Sequence, residues 1–361
     1  MLAFDFEQLS ALGLTPALAN RAAGLAATEN ETLELLRITV VHRNTIGVHD
    51  GVAERDARPL PRLTRALIDE GSGLAVGDWV LATRDAYRQT WIEARVPPSS
   101  HIARRDGEGR VHPVVSNVDT ALLLMGLDDD FNPRRLERYL ALVHGDAIVP
   151  VVVLTKADVA APTADALDQR LALLAGRVPP GVEIFAVNAM DVSAARALHG
   201  YLGRGQTLVL LGSSGAGKST LTNTLLGAAV QDTGAVRAHD SRGKHTTTSR
   251  SLHLLPGGAC VIDTPGLRAL RPDADEAALA ATYDDVEALA ARCRFRDCAH
   301  ANEPGCAVRE GIGADRLCNY HKMLREIRRD TLTALDRQRQ RAEWKARHRV
   351  AEVRMKAKRG E

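Results

Sequence analysis

The spacing of apolar residues changes several times along this chain of 361 residues. Over residues 1–33 apolar side chains recur at helical intervals between small turns, which predicts an amphipathic helical extension. Over residues 34–105 they form short alternating or β-branched runs separated by Gly, Asp and Pro. These runs predict five strands: LELLRITVV, TIGVH, RLTRALI, GDWVLATR and RQTWIEARV. Five short strands are typical of a small barrel of the OB type, a fold that often binds oligonucleotides.

Strands and helices alternate over residues 112–272, after a basic, glycine-containing connector at residues 101–110. The predicted strands are TALLLMGL, AIVPVVVL, VEIFAVNA, TLVLLG, SLHLLP and ACVID, and the predicted helices are FNPRRLERYLALVHG, residues 164–175, a helix to about Leu202, and residues 218–226. Such alternation predicts a mostly parallel sheet covered by helices on both faces. The expected fold class is multidomain, with an N-terminal OB-like β-barrel, a central α/β domain and a C-terminal α-helical domain over residues 273–361.

Composition and charge narrow the class of protein. An apolar content of 45% is typical of a globular protein, and no signal peptide or run of about 20 apolar residues is visible. We therefore expect a cytoplasmic protein without a membrane partner. We also expect a monomer, and no heptad run suggests a coiled coil. With 14 Lys or Arg against 6 Asp or Glu, residues 322–361 carry a net charge of +8, so the total of +2 leaves −6 for the rest. This basic tail favours a polyanionic partner.

One segment has a strong chemical signal. The sequence GSSGAGKST follows the predicted strand TLVLLG and begins a helix, which is the setting that the phosphate-binding motif GxxxxGKS requires. Its glycines let backbone N–H groups turn toward phosphates, Lys218 reaches the β- and γ-phosphates, and Ser219 can bind magnesium. The motif alone does not distinguish ATP from GTP. We expect nucleotide contacts from Gly212, Ser213, Ser214, Gly215, Ala216, Gly217, Lys218, Ser219 and Thr220.

A second segment, TKAD, resembles the NKxD motif with which GTPases read guanine, and its residues are Thr155, Lys156, Ala157 and Asp158. In that pattern the aspartate accepts hydrogen bonds from the guanine ring N–H and amino group, which adenine cannot offer, and the lysine stem packs over the ring. Asp158 therefore favours GTP, and the loop at residues 187–191 falls where a backbone contact to the base would be made. Thr155 replaces the usual asparagine and keeps a hydroxyl but loses the amide that ties this loop to the phosphate loop, so we expect some loss of guanine affinity. In ordinary GTPases the base-reading motif follows the phosphate loop. Here TKAD precedes the phosphate loop, so the order of the motifs is a circular permutation.

Two further segments bear on hydrolysis. Asp263 ends the predicted strand CVID in the Walker B position, where it would hold magnesium together with Ser219. Leu267 stands where many GTPases carry the glutamine that orients the attacking water. In the polar segment GKHTTT, His245 could take that role because imidazole suits proton transfer near neutral pH, and Thr247 could close on magnesium and the γ-phosphate. An ordinary exposed loop histidine is the alternative.

Four potential metal ligands lie within fourteen residues: Cys293, Cys298, His300 and Cys306. An odd total of five cysteines without an export signal disfavours a disulfide framework. Three thiolates and one imidazole meet the four-coordinate demand of one structural zinc ion and leave no open position for catalysis. Cys318 is a possible substitute ligand, although helical packing is the expected role.

The permuted order, the five-strand barrel, GKHTTT, DTPG and CxxxxCxHxxxxxC together resemble the RsgA family of circularly permuted GTPases over about residues 34–320. The resemblance implies an OB domain at residues 34–105, a permuted P-loop GTPase domain at residues 112–272, and a C-terminal zinc-binding domain. It further implies a role in late maturation of the small ribosomal subunit, binding to ribosomal RNA, and GTP hydrolysis that this particle stimulates. On that basis the expected ligands and partners are GTP or GDP, Mg²⁺ with GTP, one structural Zn²⁺, and the small subunit with its rRNA.

Two alternatives remain open from the residues alone. One is an ATP-dependent enzyme that uses the same phosphate loop. The other is a zinc-dependent RNA-binding scaffold in which the nucleotide is only structural.

Overall fold

The computed structural model describes residues 2–27, 32–42, 45–105, 111–145, 148–160, 164–227, 250–264 and 274–330. The described strands are β1 Leu2–Ala3, β2 Leu33–Val41, β3 Ile46–His49, β4 Glu54–Pro59, β5 Trp79–Arg84, β6 Thr90–Arg95, β7 His101–Arg105, β8 Val111–Ser116, β9 Thr120–Gly126, β10 Val149–Thr155, β11 Glu183–Ala186, β12 Thr207–Gly212, β13 Ser251–Leu254 and β14 Cys260–Asp263. The described helices are α1 Phe6–Ser10, α2 Pro16–Ala26, α3 Pro61–Asp69, α4 Pro133–His144, α5 Ala157–Ala160, α6 Ala164–Ala175, α7 Ser193–Ala197, α8 Lys218–Leu226, α9 Glu276–Thr282, α10 Asp284–Ala290, α11 Ala307–Gly311 and α12 Ala314–Asp330, with one 3₁₀ turn at His199–Tyr201.

Five strands close into a barrel in the order β2-β3-β4-β6-β5, because β5 pairs back onto β2. The pairing of β4 with β6 is parallel and the other four are antiparallel, which is the OB arrangement. Its interior is filled by fully buried aliphatic side chains from alternate strand positions, such as Leu36, Ile38 and Ile92. The predicted five-strand barrel is thus confirmed.

One of the five strand predictions is wrong in position. The run RLTRALI forms α3, since Pro61 suits a first helical turn and Leu63 and Leu67, one turn apart, both pack into the barrel core. The remaining barrel strand is β4, ERDARP, in which Ala57 is the one buried residue. A strand with a single buried position has no alternation to reveal it.

The central sheet has the order β11-β10-β9-β12-β14-β13, with five parallel strands and an antiparallel β13 at its edge. Alternate residues of β9 face opposite layers. Leu123 packs with Leu140 of α4 on one side, whereas Leu122 and Leu124 pack with Leu221 of α8 on the other. Since the parallel strands share a direction, the loops after β9, β10, β12 and β14 leave from the same edge.

The barrel and the central sheet are joined along one edge. Ser251 of β13 pairs with Val40 of β2, so the two sheets are continuous. The fully buried Arg37 of β2 donates across this junction to the carbonyls of Leu12 and Asn117 and to Thr207 Oγ1. The predicted connector at residues 101–110 is partly β-structure, because residues 101–105 form β7 and pair with β8 in a separate two-stranded sheet.

Helices α9 to α12 pack on α4, and their shared core includes Ala141, Tyr283 and Met323. The carboxylate of Glu137 on α4 is 1% exposed and accepts hydrogen bonds from Arg316 Nη1 at 2.8 Å, Tyr283 Oη at 2.9 Å and Asn319 Nδ2 at 2.5 Å. Burial raises the pKa of Tyr283, so the phenol remains a donor. In the described part of the chain no helix is long and apolar enough to cross a membrane.

Candidate nucleotide site and cysteine–histidine cluster

The phosphate loop lies between β12 and α8 at the carboxyl edge of the central sheet. Gly215 and Gly217 have φ values of +85° and +87°, which non-glycine residues rarely adopt. A side chain at Gly212 would lie 2.7 Å from the carbonyl oxygen of Leu124. A residue with a side chain at these positions would prevent the loop from turning its N–H groups inward beside β9.

The side chains at the end of the loop converge on Asp263. Lys218 is 6% exposed and its Nζ donates to the carbonyls of Gly212 at 3.1 Å and Ser213 at 2.7 Å. Ser219 Oγ donates to Asp263 Oδ2 at 3.2 Å, while Asp263 Oδ1 is buried and has no hydrogen-bond partner among the described residues. Burial raises the pKa of Asp263 and lowers that of Lys218, and the attraction between the two opposes both shifts. A hydroxyl beside a buried carboxylate with an unpaired oxygen is a donor set that suits Mg²⁺.

The TKAD loop follows β10, two strands from β12, and contacts the phosphate loop directly. Thr155 is fully buried and its Oγ1 donates to the carbonyl of Ala216 at 2.8 Å. The amide of the usual asparagine is absent, but the hydroxyl that Thr155 keeps supplies a hydrogen bond between the two loops in its place. The sequence could not reveal this, since the contact depends on how closely the loops approach. The expected loss of guanine affinity stays a prediction.

The other TKAD residues line the same edge. Lys156 has a φ of +61° and forms a 2.6 Å ion pair with Asp128. Ala157 N donates to the carbonyl of Val187 at 3.3 Å, which joins TKAD to the loop after β11. Asp158 is exposed in the first turn of α5. The TKAD segment is thus held on both sides, by the loop between β12 and α8 and by the loop at residues 187–191.

An acidic loop between β9 and α4 was missed by the sequence analysis. Asp130 Oδ1 accepts from Ser213 Oγ at 2.5 Å and from Arg135 Nη2 at 2.6 Å, and Asp128 pairs with Lys156. The sequence does contain a signal for this loop. Its carboxylates directly follow a buried parallel strand, at the edge of the sheet that carries the phosphate loop.

The predicted catalytic residues His245 and Thr247 lie outside the described residues, as does Leu267. Asp263 is described and lies beside Ser219, as given above.

The four predicted metal ligands come together between α10 and α11. The ligand atoms of Cys293, Cys298, His300 and Cys306 all lie within 4.8 Å of one another, so the cluster could hold a metal ion. His300 Nδ1 is 3.6 Å from Cys293 Sγ and 3.5 Å from Cys306 Sγ, and the two sulfurs are 3.9 Å apart. Burial and the nearby His321 lower the pKa of His300, which favours the neutral imidazole that binds metals. Cys318 lies exposed on α12 and is not part of this cluster.

A single carboxylate organises the loop that carries His300. Glu303 accepts backbone hydrogen bonds from Ala299 at 3.2 Å, Ala301 at 2.8 Å and Asn302 at 3.0 Å. His300 itself has a φ of +58°, so the turn is held in a strained conformation. Glu303 thereby fixes the histidine in its position between the cysteines.

These features define a P-loop nucleoside triphosphatase in which the strand of the phosphate loop, β12, comes after the strand of the base-reading loop, β10, in the chain. The family model of the RsgA GTPase matches residues 96–272. A protein of Xanthomonas oryzae pv. oryzae (strain MAFF 311018), named small ribosomal subunit biogenesis GTPase RsgA, is 48% identical over 299 residues, which cover 81% of this chain and 80% of the relative. A protein of the same name from Xanthomonas axonopodis pv. citri (strain 306) matches to the same extent. The chain belongs to the RsgA GTPase family and is a GTP hydrolase.

Solved structures agree on the fold. YjeQ from Thermotoga maritima superposes with a TM-score of 0.58 at 22% identity, over 82% of this chain and 98% of that chain. YloQ, described as a circularly permuted GTPase, gives a TM-score of 0.56 at 21% identity, over 85% of this chain and 99% of that chain. The predicted fold class and family are confirmed, and the ATP-dependent and scaffold alternatives are not favoured.

Proposed function

We propose that this chain is a GTP-hydrolysing assembly factor that acts late in maturation of the small ribosomal subunit, and that the subunit stimulates its hydrolysis. The observation that carries the proposal is the direct contact between a guanine-type TKAD loop and a phosphate loop, through Thr155 and Ala216. The ribosomal part is supported by the name that the relatives at 48% identity carry. We further propose a cytoplasmic monomer with an OB domain at residues 34–105, a GTPase domain at residues 112–272, and a C-terminal domain beyond.

The phosphates of GTP would lie on residues 212–220, with Mg²⁺ held by Ser219 and Asp263. The 3.2 Å hydrogen bond between these two side chains and the unpaired buried Oδ1 of Asp263 support this assignment. When bound, Mg²⁺ would neutralise charge on the β- and γ-phosphates. Lys218, whose charge Asp263 and Asp130 favour against burial, would add a second cation there.

Guanine would lie against the stem of Lys156, with Asp158 accepting from its ring N–H and amino group. The exposed position of Asp158 beside a loop fixed by Thr155 and Val187 supports this role. Asp158→Asn presents a donor where the wild type has an acceptor, so it should lose GDP binding and gain xanthosine diphosphate binding. A variant that retains its preference for GDP would contradict the assignment.

We propose that His245 orients the attacking water and that Thr247 closes on the γ-phosphate, both lying outside the described residues. Leu267 in the position of the usual glutamine supports a substitute in the GKHTTT segment. His245→Ala should bind GTP normally but lose most of its stimulated hydrolysis, since general acid–base or positioning groups contribute about 10²- to 10⁴-fold.

The metal in the cysteine–histidine cluster is proposed to be one structural zinc ion. Tetrahedral zinc, with Zn–S of about 2.3 Å and Zn–N of about 2.0 Å, sets sulfurs about 3.8 Å apart and sulfur and nitrogen about 3.5 Å apart. The sulfur separation of 3.9 Å and the sulfur–nitrogen separations of 3.5 and 3.6 Å match these values. All four ligand positions are then filled, so the ion would stabilise the domain and take no part in hydrolysis.

Ribosomal RNA is the polyanion proposed for the basic segment at residues 322–361, of which residues 331–361 lie outside the described part. The decisive experiment measures single-turnover GTP hydrolysis alone, with purified small subunits, and with purified large subunits. We expect acceleration by small subunits alone. Equal rates in all three samples would refute the proposed function and favour a scaffold.

A further inference from the structure

The acidic loop at residues 127–131, between β9 and α4, touches both halves of the nucleotide site. The chain turns back sharply after β9, and a side chain at Gly126 would lie 2.3 Å from Asp128 Oδ1. This turn aims Asp128 and Asp130 in two directions. Asp128 reaches the base-reading loop and Asp130 reaches the phosphate loop.

Asp130 is held by three donors and is 15% exposed at its side chain. Its Oδ1 accepts from Ser213 Oγ at 2.5 Å and from Arg135 Nη2 at 2.6 Å, and its Oδ2 accepts from Gly126 N at 3.1 Å. Ser213 is 7% exposed, and its carbonyl accepts from Lys218 Nζ at 2.7 Å. Asp130 therefore fixes the residue whose backbone holds the phosphate-binding lysine.

Asp128 makes a weaker contact of the same kind. Its Oδ2 lies 2.6 Å from Lys156 Nζ, and the two side chains are 40% and 30% exposed. The lysine stem is flexible, and the ion pair with Asp128 restricts the directions that the Lys156 side chain can take.

We propose that Asp130 and Asp128 are positioning residues for the guanine nucleotide: Asp130 sets the phosphate loop through Ser213, and Asp128 sets the base-reading lysine. The inference rests on the proposed function, because it assigns a task within that nucleotide site. The proposal assigns neither carboxylate a direct contact with the nucleotide.

A charge effect and a positioning effect of Asp130 predict opposite changes in nucleotide affinity. Two carboxylates beside a site for anionic phosphates repel the ligand, and Asp130 neutralises Arg135, which would otherwise attract it. If charge alone mattered, Asp130→Asn would tighten nucleotide binding. If Asp130 positions Ser213, the same substitution weakens binding, since hydrogen bonds to charged groups contribute enough to change affinity about tenfold.

The experiment titrates fluorescent GDP and ADP into the full-length wild type, D130N, D128N and D129N. Asp129 is the matched control because it is exposed in the same loop and makes no hydrogen bond or ion pair with the described residues. We expect D130N to raise Kd about tenfold at an unchanged stoichiometry. D128N should raise it about two- to fivefold, as for an exposed ion pair. D129N should stay within twofold of the wild type or bind slightly tighter.

A double-mutant cycle separates positioning from general damage to the fold. Ser213→Ala and D130N should be strongly non-additive, so that the double variant binds about as weakly as D130N alone. Additive losses, a fall in stoichiometry, or a D130N variant that binds as tightly as D129N would overturn the role of Asp130. A D128N variant indistinguishable from D129N would overturn the role of Asp128.

A failure of the proposed function would be seen in the wild type, and not in the comparison of the variants. A wild type that binds ADP as tightly as GDP would refute the guanine assignment, and with it the role of Asp128 at the base. Asp130 acts on the phosphate loop, which holds either diphosphate, so the D130N effect on ADP still decides the role of Asp130 in that case.

Discussion

Arg37 joins three parts of the molecule, and replacing it by methionine tests how strongly they depend on each other. The guanidinium lies in the barrel strand β2 and donates to Leu12 O, Asn117 O at 3.0 Å, Thr207 Oγ1 at 2.9 Å and, at 3.4 Å, a further carbonyl from Gly77. Methionine keeps the length of the aliphatic stem and removes every one of these donors.

The expected loss follows from burial. Arg37 is fully buried, and its removal leaves the carbonyls of Leu12 and Asn117 and the Thr207 hydroxyl short of a donor, at about 1–3 kcal/mol each. The Gly77 carbonyl keeps the hydrogen bond from Asn117 Nδ2 at 3.0 Å. Removing a buried charge also recovers desolvation free energy, the effect that lowers the pKa of Arg37. Breaking a buried charged network costs about 3–5 kcal/mol once both effects are included, and we expect Arg37→Met to lower the free energy of unfolding by that amount.

Trp79 offers the assay, because its fully buried side chain leaves the barrel strand β5 into the core shared by the N-terminal extension and the central sheet, and Arg37 lies 5.5 Å from its ring centre. Urea unfolding of a variant with Trp79 as the sole tryptophan follows this junction by fluorescence and the whole chain by circular dichroism. In Arg37→Met the transition followed by fluorescence should occur at a lower urea concentration than the transition followed by circular dichroism, because the barrel loses its hydrogen bonds to the central sheet. Arg65→Met, on an exposed position of α3, is the control of equal charge. A loss below 1 kcal/mol with coincident transitions would refute the reasoning.

Three further predictions concern single side chains. Thr155→Val leaves the Ala216 carbonyl without its donor and should weaken GDP binding by about 1–3 kcal/mol, or about 5- to 150-fold, by fluorescence titration; an unchanged Kd would contradict the tie. Burial raises the pKa of Asp78 from 3.8 to about 6, so the folded state holds its proton longer than the unfolded state and stability falls as pH rises through about 4 to 6. The unfolding free energy of the wild type should therefore drop by about 2 kcal/mol more than that of Asp78→Asn between pH 4 and pH 7, and parallel urea profiles would contradict this. Cys298→Ser should lose bound zinc and lower the melting temperature, as a chelator should in the wild type, whereas Cys318→Ser should do neither; metal analysis and calorimetry decide.

The residues with strong local signals were predicted from the sequence in the correct elements. The phosphate loop, β14 with Asp263, and the cysteine–histidine cluster each depend on a short motif whose spacing is set by its own chemistry. Buried strands such as β9 and β10 are continuous apolar runs and are equally visible.

The failures involve contacts between distant segments. Thr155 reaches Ala216 across 61 positions in sequence, and Asp130 reaches Ser213 across 83, so no local pattern indicates either hydrogen bond. Strand β4 has only one buried residue, so no alternation of apolar and polar positions indicates it. The sequence of α3 resembles a strand because Leu63 and Leu67, four positions apart, also fit an alternating pattern.

The junction at Ser251 and Val40 has a consequence for any shortened form of this protein. β13 is the outermost strand on its side of the central sheet, and an outermost strand offers unpaired N–H and C=O groups to other chains. In the intact molecule β2 pairs with β13 at Ser251, so the barrel hinders edge-to-edge association between the central sheets of two copies. A fragment that begins after the barrel would expose that edge, and association through the exposed edge would then lower its solubility.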